Sequence, residues 1–171
     1  SGQFTNHIFV SVAAGFIVAF PYIFWEIWRF IKPALYDVES KHAKGVVFFS
    51  SLLFLSGVLF GYYIIAPMAV NFLGSYQVSK EVANQINLGS YITTVATIPL
   101  ACGVVFELPV VTFFLTSVGL VTPSFMRTYR KHALVIVLVL AAIITPPDVI
   151  SQILVAMPLL VLYEVSIRIS A

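Results

Sequence analysis

The sequence predicts an all-α protein, a polytopic bundle of helices that cross a lipid bilayer. Of the 171 residues, 60% are hydrophobic and only 9% are charged, and the mean hydropathy is +1.03. Soluble domains carry roughly 25% charged residues, so seven acids and nine bases could not cover an 18.8 kDa soluble fold. The apolar residues also form long runs, which are typical of membrane-spanning helices.

The first two runs predict full membrane crossings. Residues 9–28 contain only Glu26 as a charged residue, and residues 46–68 contain no charge. About 20 apolar residues in a helix cross roughly 30 Å of hydrocarbon, so each run is long enough. In the second run, Gly57 and Gly61 match the small-xxx-small pattern of close helix packing.

The third run, residues 88–118, is longer than a membrane requires. Its 31 residues would extend for about 46 Å as a straight helix. Pro99 and Pro109 lie inside it, and each removes a backbone hydrogen bond. We therefore predict a tilted crossing with one or two kinks.

The last two predicted crossings, at about 132–145 and 149–167, have short apolar cores. The uncharged runs 133–144 and 153–163 contain only twelve and eleven residues. Between them, Thr145 is followed by Pro146, Pro147 and Asp148, which cannot continue a helix through lipid. We predict that these two prolines and the aspartate form a structural hairpin.

The basic residues predict the orientation. Eight of the nine lysines and arginines lie in the segments after the first, third and fifth spans, and Lys80 is the exception. The positive-inside rule places those segments in the cytoplasm, so we predict an external N-terminal end and a cytoplasmic C-terminal end. Because such a start is difficult to insert, we expect one domain over 1–171 that contains five of six helices.

The sequence offers little for catalysis. It contains no HExxH or GxSxG motif, and His7, His42 and His132 lie on three different segments. Asp37 and Asp148 both fall in predicted loops, which does not suit intramembrane proteolysis by paired aspartates. We therefore expect no catalytic residue, no metal and no cofactor. A net charge of +2 does not indicate a nucleic acid partner.

Glu107 is the strongest candidate for a functional residue. It lies inside the third span, where an ionised side chain costs roughly 2.5 to 3.5 kcal/mol on insertion scales. One interpretation is a protonated carboxyl that bonds to the carbonyl freed by Pro109 and holds a kink. The other is a polar contact point for a second transmembrane helix or a substrate.

Two further acids lie in the first predicted cytoplasmic loop. Asp37 and Glu39 could receive a basic peptide, because a carboxylate accepts two parallel hydrogen bonds from a guanidinium. Alternatively they pair with Lys41 or Lys44 as ordinary surface ion pairs.

Four segments carry a family resemblance. They are Trp28-Arg29-Phe30-Ile31-x-Pro33-Ala34-Leu35-Tyr36-x-x-Glu39, Phe106-Glu107-Leu108-Pro109-Val110, Thr145-Pro146-Pro147-Asp148-Val149-Ile150-Ser151-Gln152 and Pro158-x-x-x-Leu162-Tyr163-Glu164. In this order they resemble the successive motifs of the TatC family, the membrane receptor subunits of twin-arginine protein translocation. The resemblance implies six helices with the last two short. The family's N-terminal segment, which includes an acidic residue that shares the signal-peptide site, has no counterpart in this sequence.

The resemblance implies two binding regions. The twin arginines of a signal peptide are expected at Glu39, with Phe30, Pro33 and Tyr36 in the same site. An intramembrane polar groove that meets partner helices is expected at Glu107, Gln152 and Thr145.

The resemblance also implies the setting in which the protein works. We expect TatA- and TatB-like single-span subunits, the signal peptides of folded cargo, other copies of the chain and the lipid bilayer as partners. Transport across the cytoplasmic membrane would be driven by the proton-motive force.

Two other functional classes remain open at this stage. A proton- or ion-coupled small-solute transporter would use Glu107 and Glu164 as intramembrane carboxylates, although such proteins usually carry internal repeats that this sequence lacks. A passive scaffold for other membrane subunits would leave every polar residue with a structural role only.

Overall fold

The structure, a computed structural model, describes residues 2–31, 43–75, 87–145 and 148–169, and every regular element in these segments is helical. This confirms the all-α prediction. The helices are α1 (Gly2–Ile31), α2 (Ala43–Phe60), α3 (Ala66–Ser75), α4 (Leu88–Phe106), α5 (Leu108–Ser117), α6 (Pro123–Thr128), α7 (Arg130–Ile144) and α8 (Val149–Ile169).

Four helical segments are long and apolar enough to cross a membrane. They are Gly2–Ile31, Gly45–Ser75, Leu88–Ser117 and Val149–Ile169. The predicted fourth crossing, α7, has 15 residues and extends for about 22 Å, so it is short, as expected. By contrast, α8 has 21 residues and is longer than its apolar core suggested.

The extra length of α8 is possible because its polar residues find partners. Asp148 caps the first turn by accepting from the backbone N–H of Ser151 at 3.0 Å and from its hydroxyl at 2.9 Å. Near the other end, Arg130 of α7 donates to Glu164 at 2.8 Å. The helix therefore continues past the apolar run in both directions.

The third predicted span breaks at Glu107. The N–H of Glu107 donates to the carbonyl of Val104 at 3.1 Å, one residue closer than in an α-helix, and α5 begins at the next residue. Pro109 occupies the first turn of α5, where a missing N–H costs little. Pro99, in contrast, stays inside α4 without ending it. The predicted kink therefore forms at the second proline.

Glycines allow α2 and α4 to pack closely. A β-carbon at Gly57 would lie 2.7 Å from the carbonyl oxygen of Cys102, and one at Gly61 would lie 2.7 Å from Cα of Pro99. On the opposing helix, a β-carbon at Gly103 would lie 2.8 Å from Val58. These distances are too short for real side chains, so the small-xxx-small prediction describes a true contact.

The helix α1 joins this pair through aromatic packing. The rings of Phe20 and Phe54 stack with centroids 3.6 Å apart and planes 6° apart. Phe54 is fully buried, and Val58 completes the cluster. This contact attaches α1 to the centre of the bundle.

A π-helical turn at Gly61–Ile65 connects α2 to α3. The N–H of Ala66 donates to the carbonyl of Gly61, five residues earlier, so one extra residue is fitted into the turn. Helical structure continues through it, and residues 45–75 form one membrane-length segment.

Candidate functional site

Glu107 and Ser50 form a buried polar pair inside the bundle. The hydroxyl of Ser50 in α2 donates to Oε2 of Glu107 at 2.7 Å. Ser50 is fully buried and Glu107 is only 7% exposed, although both lie in apolar membrane-length segments. The second carboxyl oxygen, Oε1, is buried and has no hydrogen-bond partner in the described part of the chain.

This geometry revises one interpretation of Glu107. The partner of the carboxyl is a side chain on another helix, and not the carbonyl freed by Pro109. An unpaired polar atom buried in apolar surroundings is costly, typically by about 1 to 3 kcal/mol. Oε1 can therefore accept a hydrogen bond, or donate one when protonated. Among the described segments, no three His, Cys, Asp or Glu side chains are grouped to hold a metal ion.

An apolar groove of about 720 Å³ lies beside this pair. It is bordered by Phe49 and Leu53, which flank Ser50 in α2, and by Pro109 and Val110, which follow Glu107. The end of α8 forms the third wall, with Leu162 among its residues. The groove is at the end of the bundle where α2 begins and α8 ends, and its volume lies within the range of small-molecule sites, about 300 to 1,000 Å³.

Thr145 and Gln152 lie where α7 ends and α8 begins. The hydroxyl of Thr145 is buried and donates to the carbonyl of Ala141 in the same helix at 2.8 Å. The side-chain nitrogen of Gln152 crosses from α8 to the carbonyl of Leu138 in α7 at 3.2 Å. Both residues thus have partners within the chain.

These two residues lie at a different depth from Glu107. Gln152 is the fourth residue of α8, whereas Glu107 is the twentieth residue counted from the start of α4. Both helices begin on the same side of the bundle, since α7 runs in the opposite direction. A difference of sixteen residues corresponds to roughly 24 Å of helix, so the expected polar groove is split between two levels.

The hairpin contributes Asp148, and Pro146 and Pro147 lie outside the described residues. The backbone N–H of Ser151, and then its hydroxyl, hold the pKa of Asp148 below its usual value. Asp148 therefore acts as a charged helix cap, which fits the structural part predicted for the hairpin.

The expected signal-peptide site is described only in part. Phe30 is 87% exposed at the end of α1, where an incoming chain could contact it. Pro33, Tyr36 and Glu39 lie outside the described residues, so their part in this site stays a prediction.

Sequence reasoning missed Ser50. A signal was available, because Ser50 lies seven residues before Gly57 and therefore on the same helix face. A serine in an apolar run is commonly satisfied by its own helix, so nothing in the sequence pointed to Glu107 as its partner.

Comparison with known proteins gives a consistent result. A family model described as TatC, Sec-independent protein translocase protein, matches residues 1–158. The Sec-independent protein translocase protein TatC of Blattabacterium sp. subsp. Periplaneta americana (strain BPLAN) is 43% identical, and the match covers 99% of this chain and 64% of that protein. TatC of Aquifex aeolicus (strain VF5) is 42% identical, with 92% of this chain and 66% of that protein covered.

A solved structure shows the same similarity in three dimensions. The crystal structure of the twin arginine translocase receptor TatC in DDM superimposes with a TM-score of 0.81 at 39% identity, and covers 100% of this chain and 76% of that chain. The chain spans less than two thirds of the Blattabacterium relative. These relatives are named as protein translocases, so the comparisons do not support the solute-transporter alternative.

Proposed function

Because this chain belongs to the TatC family of Sec-independent protein translocase proteins, we propose that it forms the receptor and core of a twin-arginine translocase. It binds the signal peptides of folded proteins and assembles the machinery that exports them, driven by the proton-motive force. It performs no bond chemistry and requires no cofactor. The observation that carries this proposal is the likeness, over the whole chain, to a solved twin arginine translocase receptor.

The protein is a multi-pass membrane protein, and we place it in the cytoplasmic membrane with its C-terminal end inside. Eight of nine basic residues lie in the segments assigned to the cytoplasm. Two contacts agree with the grouping of helix ends that this topology requires. A β-carbon at Gly89 would lie 3.3 Å from the side-chain nitrogen of Asn6, so the starts of α1 and α4 lie together at the side assigned as outer. At the inner side, the hydroxyl of Tyr163 donates to the carbonyl of Met126 at 2.9 Å.

The cytoplasmic loop is the proposed docking site for the two arginines. Glu39 offers a carboxylate that a guanidinium can engage with two parallel hydrogen bonds. Pro33 would restrict the backbone of the loop, and Tyr36 and the exposed ring of Phe30 would border the peptide. The acid and the aromatic residues together suit a basic peptide that continues into an apolar segment.

The apolar groove is the proposed path for the segment that follows the arginines. Its walls belong to α2, α5 and α8, and Phe113 and Val165 contribute to an apolar lining. It lies at the end of the bundle assigned to the cytoplasm, the membrane side on which the docking loop is predicted. The apolar stretch of a bound signal peptide would therefore enter the groove from the cytoplasmic side.

Partner subunits are proposed to contact the polar residues within the membrane. Glu107 supports this part of the proposal most strongly, because Oε1 lacks a partner in the described segments; a helix that bonds to it would displace the side chains that now bury it. Gln152 and Thr145 already bond to carbonyls of α7, so a TatA- or TatB-like helix would exchange these bonds rather than fill an empty site. Self-association of the chain completes the proposed assembly.

Crosslinking tests the docking site. A synthetic peptide with two adjacent arginines and a photoreactive group is added to the full-length protein in lipid nanodiscs. We expect Glu39→Ala and Glu39→Gln each to reduce crosslinking by about tenfold, the loss expected when a charged hydrogen bond is removed. Glu26→Gln is the matched control, since Glu26 is at the same membrane side and faces Arg29 at 3.9 Å.

The peptide itself supplies a second control. Replacing both arginines by lysines should weaken crosslinking, because an ammonium cannot form the bidentate contact. Undiminished crosslinking in both Glu39 variants would remove this residue from the site.

A further inference from the structure

The hydroxyl of Ser50 has a different kind of hydrogen-bond acceptor from the other hydroxyls in the helices. Ser51 donates to the carbonyl of Val47 at 2.8 Å, within α2. Thr112, Thr145 and Ser166 likewise donate to carbonyls three or four residues earlier in their own helices. This local bond is the usual solution for a hydroxyl in an apolar helix. Ser50 instead donates across 57 residues to Glu107.

The position of Ser50 is fixed by the packing of α2 on α4. Ser50, Phe54, Gly57 and Gly61 recur at helical spacing on one buried face of α2. The glycines bring that face into direct contact with α4, as the short distances at Gly57 and Gly61 show. Ser50 is therefore held opposite the break after α4, within hydrogen-bond distance of Glu107.

The hydrogen bond distinguishes the two oxygens of Glu107. Ser50 engages Oε2 at 2.7 Å, and Oε1 is left without a partner among the described residues. A carboxyl group with one oxygen held cannot rotate freely about its last bond. The remaining oxygen thus keeps one orientation in an apolar environment, in which a new hydrogen bond is stronger than it would be in water.

We infer that Ser50 is a positioning residue: it fixes the orientation of the Glu107 carboxyl inside the bundle, so that Oε1 can bond to an incoming helix once that helix displaces the side chains that cover it. This inference rests on the proposed function, in which Glu107 contacts the helix of a partner subunit. Ser50 itself does not touch that helix. It determines the orientation of the carboxyl, while the glycine contacts determine the separation of the two helices.

Infrared spectroscopy tests the positioning step without any partner. The band of the Glu107 carboxyl is identified in the full-length protein as the signal that Glu107→Gln removes. We expect Ser50→Ala to shift this band and Ser50→Cys, which keeps the size but weakens the hydrogen bond, to shift it less. Ser51→Ala is the matched control and should leave the band unchanged, because Ser51 bonds only within its own helix. An unchanged band in Ser50→Ala would overturn the inference.

Crosslinking then tests the consequence. A TatB-like single-span helix with a photoreactive group at the centre of its apolar segment is reconstituted in nanodiscs with the same variants. We expect about a tenfold loss in both Glu107→Gln and Ser50→Ala, and no loss in Ser51→Ala. A loss in Glu107→Gln with none in Ser50→Ala would overturn the inference and leave the proposed function standing. No loss in Glu107→Gln, together with a shifted band in Ser50→Ala, would instead count against the proposed contact at Glu107.

Discussion

Arg130 and Glu164 are joined by an ion pair of 2.8 Å that connects the first residue of α7 to the last part of α8. The nearest base along the chain, Arg168, lies one turn from Glu164, yet Glu164 pairs with Arg130, which is 34 positions away. Together with the bond from Tyr163 to Met126, this contact holds the segment between α5 and α7 against α8.

The ion pair should contribute little to stability. Its side chains are 53% and 47% exposed, and pairs of this kind contribute at most about 1 kcal/mol. We expect Glu164→Gln to lower the free energy of unfolding by no more than that, and the difference from wild type to vanish at high salt. Thermal unfolding in detergent measures both, and Arg127→Gln is the control. A larger, salt-independent loss would mean that the pair is shielded from solvent.

The glycine contacts should be intolerant of a single methyl group. At Gly57 a β-carbon would lie 2.7 Å from a backbone oxygen, so Gly57→Ala must separate α2 from α4. We expect a destabilisation of about 1 to 3 kcal/mol. Gly15→Ala in α1 is the matched control, since nothing lies within 4 Å of its β-carbon position. It should be neutral or slightly stabilising, and equal unfolding temperatures for the two variants would contradict close packing at Gly57.

The aromatic stack should be a strong determinant of stability. Phe54→Ala removes a fully buried ring that stacks on Phe20. We expect a loss of about 3 kcal/mol, most of it from lost packing contacts, because lipid is as apolar as the protein interior. Phe48→Ala, on the same helix with a side chain 64% exposed, should cost far less. Similar losses in the two variants, measured by denaturant unfolding in micelles, would show that α1 does not depend on the stack.

The cap at Asp148 should make stability depend on pH. Ser151 holds the pKa of Asp148 below its usual value, so these hydrogen bonds favour the folded state only while the carboxylate is ionised. Their contribution is fully present above the unfolded pKa of about 3.9 and is lost as the pH falls through the lower folded pKa. We expect wild type to unfold at a higher temperature than Asp148→Asn near neutral pH.

The same comparison at low pH provides the check. The difference between wild type and Asp148→Asn should shrink as the pH falls below about 4. Asp148→Ala, which removes the acceptor as well as the charge, should remain less stable than Asp148→Asn over the whole range. A difference between wild type and Asp148→Asn that does not change with pH would show that the charge of the cap has no role.

How much could be predicted depended on whether a feature is local in the chain. The helices follow from runs of apolar residues, and the break near Glu107 follows from Pro109, because both are properties of one segment. Gly57 and Gly61 signalled close packing without naming the opposing helix. The partner of Glu107 could not be predicted, since it depends on the register of α2 against α4 and that register appears only when both helices are packed.

The end of α8 shows the same limit. Its apolar core, residues 153–163, is short, and the predicted crossing at about 149–167 agrees with α8 to within two residues, but the partners of Gln152 and Glu164 could not be predicted. In the fold each bonds to α7, through the carbonyl of Leu138 and the side chain of Arg130. Satisfied polar groups allow a helix to extend further than hydropathy suggests.

The π-helical turn at Gly61–Ile65 acts as a phase correction. In an unbroken α-helix each residue advances by about 100°, so Ala66 would lie well away from the face that carries Ser50. The extra residue rotates the residues after the turn about the helix axis toward the buried face. Ala66 and Ala69 are accordingly almost completely buried, at 2% and 0% exposed. Deleting one residue from the turn would rotate about ten residues out of alignment with α4, while the inner half, with Ser50, would keep its place.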